Sequence, residues 1–188
     1  MMEVEYMKKL NLINASGDNK IGIIKKLSLD DLDKLIALQK EIILGLKDKQ
    51  EYADTEREVF EDYLKGKATI LGCFVESELI AMGVYVSLGI DEDNYGYDLG
   101  IEGEQLLKVC QIESTVVKKN YRGNGLQKII CNELENIGIR DGMNIISATV
   151  YPENKYSLNT FLNLGYQVKR EKIKYGGYRR YILEKKLR

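Results

Sequence analysis

The sequence predicts a mixed α/β (α+β) fold in which one central β-sheet is flanked by helices. Two hairpin patterns predict antiparallel strands: residues 69–75 and 79–86 flank Glu-Ser-Glu, and residues 167–174 and 178–185 flank Gly-Gly. Between them, a β-branched run leads through a glycine turn into an amphipathic helix and then another strand. That order is typical of a parallel β-α-β unit, so the predicted sheet contains strands of both directions.

Composition limits the number of domains and the classes of partner. The chain has 188 residues and a net charge of −1, which fits one domain and gives no reason to expect nucleic acid or a membrane as partner. No apolar run approaches the roughly 20 residues that span a bilayer, and no signal-type segment is present. We expect a flexible N-terminal arm over residues 1–19, a single domain over residues 20–188 and a cytoplasmic location.

The absence of histidine excludes several kinds of site. Ser-His and Cys-His hydrolases need an imidazole base, and the chain contains no histidine. The three cysteines, Cys73, Cys110 and Cys131, lie in apolar runs and are expected to be buried free thiols. No metal site is predicted, because histidine is missing and the cysteines lack metal-ligand spacing.

The first half of the chain predicts one strand, two helices and a hairpin. Isoleucines over residues 21–26 indicate the first strand, and Ser28 is expected to cap a helix that ends near Leu46. Thr55 is expected to cap a shorter helix that ends at Gly66. The first hairpin follows.

The second half begins with a polar, glycine-rich segment over residues 89–103. It is too long for a tight turn, and loops of this length in compact domains are often functional. A central strand is predicted over about 106–118, the amphipathic helix ends near Gly142, and another strand covers 144–151. A short helix closed by Gly165 then precedes the last hairpin.

The turn over residues 120–125, Asn-Tyr-Arg-Gly-Asn-Gly, predicts an anion site. It joins the central strand to the helix, so unpaired N–H groups and the positive end of the helix dipole meet there. Gly123 and Gly125 let a bulky anion approach the backbone closely, and Arg122 adds positive charge. The spacing differs from that of nucleotide-triphosphate and dinucleotide loops.

The turn resembles the pyrophosphate-binding motif of the GNAT family of N-acetyltransferases. That motif is Gln/Arg-x-x-Gly-x-Gly/Ala, and its fixed places are taken here by Arg122, Gly125 and Gln127. The first two match the motif, whereas Gln127 stands where the family usually has a small residue.

A second family motif follows the strand at 144–151. The family pattern Asn-x-x-Ala-x-x-x-Tyr-x-x-x-Gly-Phe is similar to the spacing of Asn154, Ser157, Phe161, Gly165 and Tyr166. Two further segments, Asn94-Tyr-Gly-Tyr-Asp98 and 175–182, resemble a bacterial subgroup of the same family. The resemblance covers about residues 20–186.

The resemblance implies the acyl-CoA N-acyltransferase fold and direct transfer of acetyl from acetyl-CoA to an amine of a small molecule, peptide or protein. The central strand is expected to separate from its neighbour after Val116–Val117, where pantetheine would pair with the freed backbone. The residues implied in coenzyme binding are Val116, Val117, Arg122, Gly123, Asn124, Gly125, Leu126, Gln127, Asn154, Ser157 and Phe161.

Transfer to an amine needs a base, because a primary amine is protonated at neutral pH. Glu113 is the candidate, since it shares the side-chain parity of Thr115 and Val117 on the central strand. Gln111, Glu104 and Asp98 are alternatives.

The leaving thiolate needs a proton, and the tyrosine that many relatives use is Phe161 here. Tyr156 is the predicted substitute, with Tyr151, solvent or the substrate ammonium as alternatives. The N–H of Val117 is expected to stabilise the developing negative charge on the acyl oxygen.

Three questions stay open at the level of sequence. The last hairpin is basic, either as a solvated face or as the binding site of the coenzyme 3′-phosphate or an acidic substrate. A homodimer through this hairpin is one expectation. A coenzyme-A-binding sensor or scaffold without transfer activity is the alternative to an enzyme, and Phe161 and Gln127 favour it.

Overall fold

The computed structural model describes residues 7–187 and contains one mixed sheet of eight strands. The strands are β1 (Met7–Ile13), β2 (Asn19–Lys26), β3 (Ala68–Val75), β4 (Glu78–Val86), β5 (Val109–Val117), β6 (Ile145–Val150), β7 (Gln167–Lys174) and β8 (Tyr178–Lys186). The helices are α1 (Leu32–Leu44), α2 (Arg57–Asp62), α3 (Leu126–Arg140) and α4 (Lys155–Asn163).

The order of strands in the sheet is β1-β2-β3-β4-β5-β6-β8-β7. Only β5 and β6 pair in parallel, and α3 connects them. All other neighbours among the described strands are antiparallel. The predicted mixed sheet flanked by helices is therefore confirmed. Strand β7 of the last hairpin lies at the edge of the sheet. A homodimer through this hairpin stays a prediction.

Helices cover both faces of the sheet, and each face has its own apolar core. On the face that we call the α3 face, Leu126, Ile130 and Leu134 of α3 and Phe161 of α4 are buried. On the opposite face, the α1 face, the core includes Leu35 of α1. Because side chains alternate along a strand, β3, β4 and β5 contribute to both cores.

The predicted flexible arm over residues 1–19 is wrong for the part that the structure describes. β1 pairs antiparallel with β2 over its whole length, from Met7 opposite Lys25 to Ile13 opposite Asn19. Leu12 is only 2% exposed, so this strand also contributes to the core on the α3 face. Residues 1–6 of the predicted arm lie outside the described residues.

The structure confirms Ser28 as the cap of the first helical segment, whereas the predicted cap of the second is wrong. A short 3-10 turn, Leu29–Asp31, precedes α1, and the N–H of Ser28 donates to Asp31 Oδ2 at 3.2 Å. Thr55 does not cap α2, which begins after Glu56. Instead, the Thr55 N–H donates to Gln39 Oε1 at 2.9 Å. Within residues 7–187, no helix has the length and apolar character needed to cross a bilayer.

Candidate active site

A cleft of about 1730 Å³ opens where β5 and β6 separate. Their parallel pairing ends at Ile112 opposite Ala148, although β5 continues to Val117. The separation was expected after Val116–Val117, and it begins earlier along the strand. The C-terminal part of β5, residues 112–117, therefore has no partner strand on this side and lines the cleft.

A β-bulge at Ser114 sets the direction of the side chains in the cleft. Val84 of β4 lies opposite Glu113 and Met82 opposite Val116, so two residues of β5 face Gly83. Ser114 has a φ of 47°, in the left-handed region. Because an extra residue reverses the alternation of side chains, Glu113 and Thr115 no longer share a face.

Because of the bulge, the prediction that Glu113 points to the same side of β5 as Thr115 and Val117 is wrong. Thr115 Oγ1 accepts a hydrogen bond from Gln127 of α3, and Val117 packs against the core of the α3 face. Glu113 instead accepts a hydrogen bond from Tyr63, which directly follows α2. The carboxylate is therefore on the α1 face, although it lines the same cleft as Thr115 and Val117.

The glycine turn forms an open cradle at the start of α3. Gly123 and Gly125 have φ values of 86° and 68°, and a Cβ at either position would meet no atom within 4 Å. The first helical hydrogen bond runs from the Ile129 N–H to the Gly125 carbonyl at 3.0 Å. The N–H groups of residues 126–128 precede that bond and point out of the helix end. Backbone donors with open space before them suit a diphosphate.

Two polar side chains of the turn have structural partners. Arg122 Nε donates to the Val117 carbonyl at 3.4 Å. Asn124 Oδ1 accepts from the Ile13 N–H at 2.8 Å, and its Nδ2 donates to the Ile13 carbonyl at 2.8 Å. The Asn124 side chain thus pairs with the end of β1 and does not line the cleft, and the predicted role of Asn124 in coenzyme binding stays a prediction for its backbone N–H.

Helix α4 forms the other wall of the cradle. Asn154 Oδ1 accepts from the Ser157 N–H at 3.1 Å, which makes Asn154 the cap of α4. Gln127 Nε2 donates to Ser157 Oγ at 2.9 Å and to Thr115 Oγ1 at 3.0 Å. The glutamine that departs from the family motif therefore connects β5, α3 and α4. Asn154, Ser157 and Leu126 all line the cleft, as predicted for coenzyme-binding positions.

The environment of Glu113 suits a general base. Gln111 Nε2 donates to Glu113 Oε1 at 2.6 Å, and Tyr63 Oη donates to Glu113 Oε2 at 2.9 Å. Burial raises the pKa of Glu113 above its ordinary value, and these two hydrogen bonds act in the opposite direction. A carboxylate held by two donors, with its pKa moved towards neutrality, can accept a proton at the cleft wall.

The alternative bases are placed less well. Gln111 is buried and accepts the Tyr95 N–H at Oε1. Glu104 is exposed, in a 3-10 turn that does not line the main cleft. Asp98 pairs with Lys172 and Lys174. Burial acts to raise its pKa, but the lysine hydrogen bonds outweigh burial and hold the pKa below its ordinary value.

The tyrosines considered for proton donation differ in exposure. Tyr156 lines the cleft from the first turn of α4, and its side chain is 91% exposed. Tyr151 is buried, and its hydroxyl donates to Asp48 Oδ2 at 2.9 Å. Phe161 is 2% exposed and packs edge-on against Tyr166. The role of Tyr156 stays a prediction.

A group of aromatic residues on the α1 face of the cleft has no role that the sequence predicts. Tyr95 and Tyr175 share a hydrogen bond of 2.6 Å between their hydroxyls, and the Tyr175 hydroxyl also contacts Thr149 Oγ1 at 3.0 Å. They belong to the two segments that resemble the bacterial subgroup, which was the one available signal. Tyr63 was signalled only by its spacing of three residues from the core residue Phe60.

Comparison with known proteins gives a family match over most of the chain. The model of the acetyltransferase (GNAT) family matches residues 32–166. No curated protein sequence matches the chain.

Solved structures of similar fold agree with this match. An acetyltransferase of the GNAT family from Streptococcus pneumoniae has a TM-score of 0.67 and 16% identity, over 89% of this chain and 99% of its own. The GNAT domain of PAT from S. lividans has a TM-score of 0.65 and 17% identity, over 95% and 97%. The yncA protein of Salmonella typhimurium, solved with its cofactor acetyl-CoA, has a TM-score of 0.66 and 12% identity, over 88% and 93%.

Proposed function

The chain belongs to the GNAT acetyltransferase family, and from this premise we propose that it transfers acetyl from acetyl-CoA directly to an amine of a small molecule or peptide. The observation that carries the proposal is the shared cleft. The glycine turn of residues 122–127 opens into it beside α3, and Glu113 lines it from the α1 face. A donor and an acceptor can therefore meet at the separation of β5 and β6.

Backbone groups are the main donors for the coenzyme. The N–H groups of residues 126–128 would hold the diphosphate, because they have no partners within the helix. The space next to Gly123 and Gly125 is open, so a diphosphate can approach them. Asn154 and the separated backbone at Val116–Val117 would hold the pantetheine arm. Acetyl-CoA, when bound, supplies a thioester carbonyl as the acyl donor.

The N–H of Val117 is oriented towards the gap between β5 and β6. Lys118 donates its N–H to the Ile80 carbonyl of β4 at 2.8 Å. Because N–H directions alternate along a strand, the Val117 N–H points away from β4. It is the proposed hydrogen-bond donor to the acyl oxygen during transfer.

Glu113 accepts the proton of the acceptor amine. A free amine resembling lysine has a pKa of about 10.4 and must lose a proton before it attacks. Tyr63 and Gln111 hold the two carboxylate oxygens of Glu113 in fixed positions. Tyr156 is the proposed donor to the leaving thiolate, because its exposed side chain lines the cleft.

Two measurements on the same protein test the proposal. Isothermal titration with acetyl-CoA measures binding, and release of the free thiol over a panel of amines measures transfer. Binding together with amine-dependent thiol release supports the enzyme. Binding with no release over the panel supports a coenzyme-binding module, the second candidate, which Phe161 favours because it has no hydroxyl. Absence of binding overturns both.

A further inference from the structure

Arg180 of β8 is a buried cation in the wall of the cleft. Arg180 is only 3% exposed, and it lines the cleft together with Tyr175. Its guanidinium lies 5.6 Å from the centre of the Tyr175 ring and 5.3 Å from that of Tyr178. Arg180 Nη1 also donates to the Arg179 carbonyl at 2.7 Å. Burial lowers the pKa of the guanidinium.

Lys172, Lys174 and Arg179 have acidic partners, whereas Arg180 has none among residues 7–187. Asp98 pairs with both Lys172 and Lys174. Arg179, the exposed neighbour, pairs with Glu171 at 2.8 Å. No acidic side chain of the described chain forms an ion pair with Arg180.

Such an arrangement is unusual for a purely structural residue. A buried charge is costly unless an opposite charge or hydrogen bonds compensate for it. Two tyrosine rings and one carbonyl compensate the Arg180 guanidinium only in part. An anion that enters the cleft would supply the missing charge and could form two parallel hydrogen bonds with the guanidinium.

The register of β8 places Arg180 on the α1 face. Tyr181 and Leu183 belong to the core of the α3 face. Because side chains alternate, Arg180 lies on the opposite face, next to Tyr175 and Thr149. The coenzyme phosphates are proposed to bind beside α3, so the acceptor is the reactant that reaches Arg180.

From this placement we infer that the acceptor amine also carries a carboxylate, which Arg180 binds while Glu113 receives the proton of the amine. The substrate class is thus an amino acid or a short peptide with a free carboxylate. Glu113 and Arg180 line the same cleft, and Tyr175, which lies 5.6 Å from the guanidinium, shares a hydrogen bond with Tyr95, so one small molecule can contact both groups. One unpaired cation matches one negative charge, which favours carboxylate over phosphate. This inference rests on the proposed function.

The test compares acceptors that differ only in the anionic group. Thiol release from acetyl-CoA is measured with β-alanine, γ-aminobutyrate and several L-amino acids, each against its carboxamide, and with phosphoethanolamine against ethanolamine. Rates are expressed per concentration of unprotonated amine, since amidation changes the pKa of the amine. We expect kcat/KM for at least one carboxylate acceptor to exceed that of its amide by about 10- to 100-fold.

Variants at two neighbouring positions assign this preference to one residue. Arg180→Gln should remove it, lowering kcat/KM for carboxylate acceptors about 10- to 100-fold and for their amides by less than about threefold. Arg180→Lys should retain part of it. Arg179→Gln, at the exposed neighbour, is the matched control and should leave it unchanged. Thermal unfolding and acetyl-CoA affinity verify that each variant is folded.

Several outcomes would overturn the inference. Equal use of acids and amides by the wild-type protein would do so while leaving the proposed transferase intact, as would a stronger preference for phosphoethanolamine. An equal loss for acids and amides in folded Arg180→Gln would also overturn it. If Arg180→Gln does not fold, the wild-type preference and Arg180→Lys decide the matter. Absence of thiol release with every amine instead means that the proposed transferase itself is wrong.

Discussion

The two faces of the cleft are built in different ways. On the α3 face, one continuous segment, residues 122–128, supplies backbone N–H groups at the start of a helix. The space next to Gly123 and Gly125 is open. On the α1 face, the polar groups come from Tyr63, Tyr95 and Glu113, which are far apart in the chain, and from β8 and its preceding turn. A site built from local backbone can be recognised in a sequence, whereas a site assembled from distant side chains cannot.

The difference suggests that the faces can be altered separately. Variants on the α1 face should change transfer and spare acetyl-CoA binding, and variants in the glycine turn should do the reverse.

Glu113→Gln should lower kcat about 10²- to 10⁴-fold, the range expected when a general base is lost. Glutamine keeps the size of the side chain but cannot accept the amine proton. Acetyl-CoA affinity, measured by isothermal titration, should stay within about twofold. A parallel loss of affinity would show that the two faces are not independent.

The pH dependence of the same variant adds a second measurement. Burial raises the pKa of Glu113 above its ordinary value of 4.5, so the base is protonated, and inactive, at pH values where an exposed glutamate is ionised. The acid limb of kcat/KM should therefore lie above pH 4.5 and vanish in Glu113→Gln. The wild-type protein should lose stability relative to the variant as pH rises through the raised pKa, because folding then buries a charge.

Gly125→Val should weaken acetyl-CoA binding about 10- to 100-fold. A φ of 68° strains any β-branched residue, and the new side chain would occupy the open space before the N–H groups. Gly103→Val is the matched control, since Gly103 has a φ of 61° and equally open surroundings but lies outside the cleft. Both variants should lose about 1–2 kcal/mol of stability. Equal affinities for acetyl-CoA in the two variants would contradict the anion cradle.

Asn124→Ala should lower the free energy of unfolding by about 1 kcal/mol. The substitution removes the two hydrogen bonds that join the turn to Ile13 at the end of β1. Hydrogen exchange at β1 should accelerate, and chemical denaturation gives the change in stability. Unchanged exchange in β1 would mean that pairing with β2 alone holds this strand.

Gln127→Ala should have the smallest effect on the affinity for acetyl-CoA. It removes the hydrogen bonds to Thr115 and Ser157, which costs about 1 kcal/mol of stability. Acetyl-CoA affinity should change by less than about threefold, because alanine keeps the backbone N–H at residue 127. A change of a hundredfold in titration would show that the glutamine side chain itself contacts the coenzyme.

The sequence predicted most of the fold because its signals are local. Hairpins, the β-α-β unit and the glycine turn each depend on neighbouring residues, and the structure has them within a few residues of the predicted bounds. β1 was missed because its apolar–polar alternation is short, and within residues 8–13 only the Leu12 side chain is buried. Its place in the sheet depends on pairing with β2 and on Asn124, which is more than a hundred residues away.

The candidate site could be predicted in part for the same reason. The cradle followed from Gly123 and Gly125, and Glu113 was named correctly as a residue of the cleft, but for a wrong geometric reason. The bulge at Ser114 lies opposite Gly83 of the neighbouring strand, where a Cβ would stand 2.8 Å from Ile130 of α3. No pattern within β5 itself reveals such a bulge. Simple alternation along the strand could therefore not predict the side of the sheet on which Glu113 lies.

The extra residue at Ser114 also bears on the order of events in catalysis. It turns Glu113 to one side of the sheet while the coenzyme cradle stays on the other, so the two reactants can occupy different parts of the same cleft. Both can be in place before either departs. The proposed transfer is therefore expected to proceed through a ternary complex with sequential kinetics.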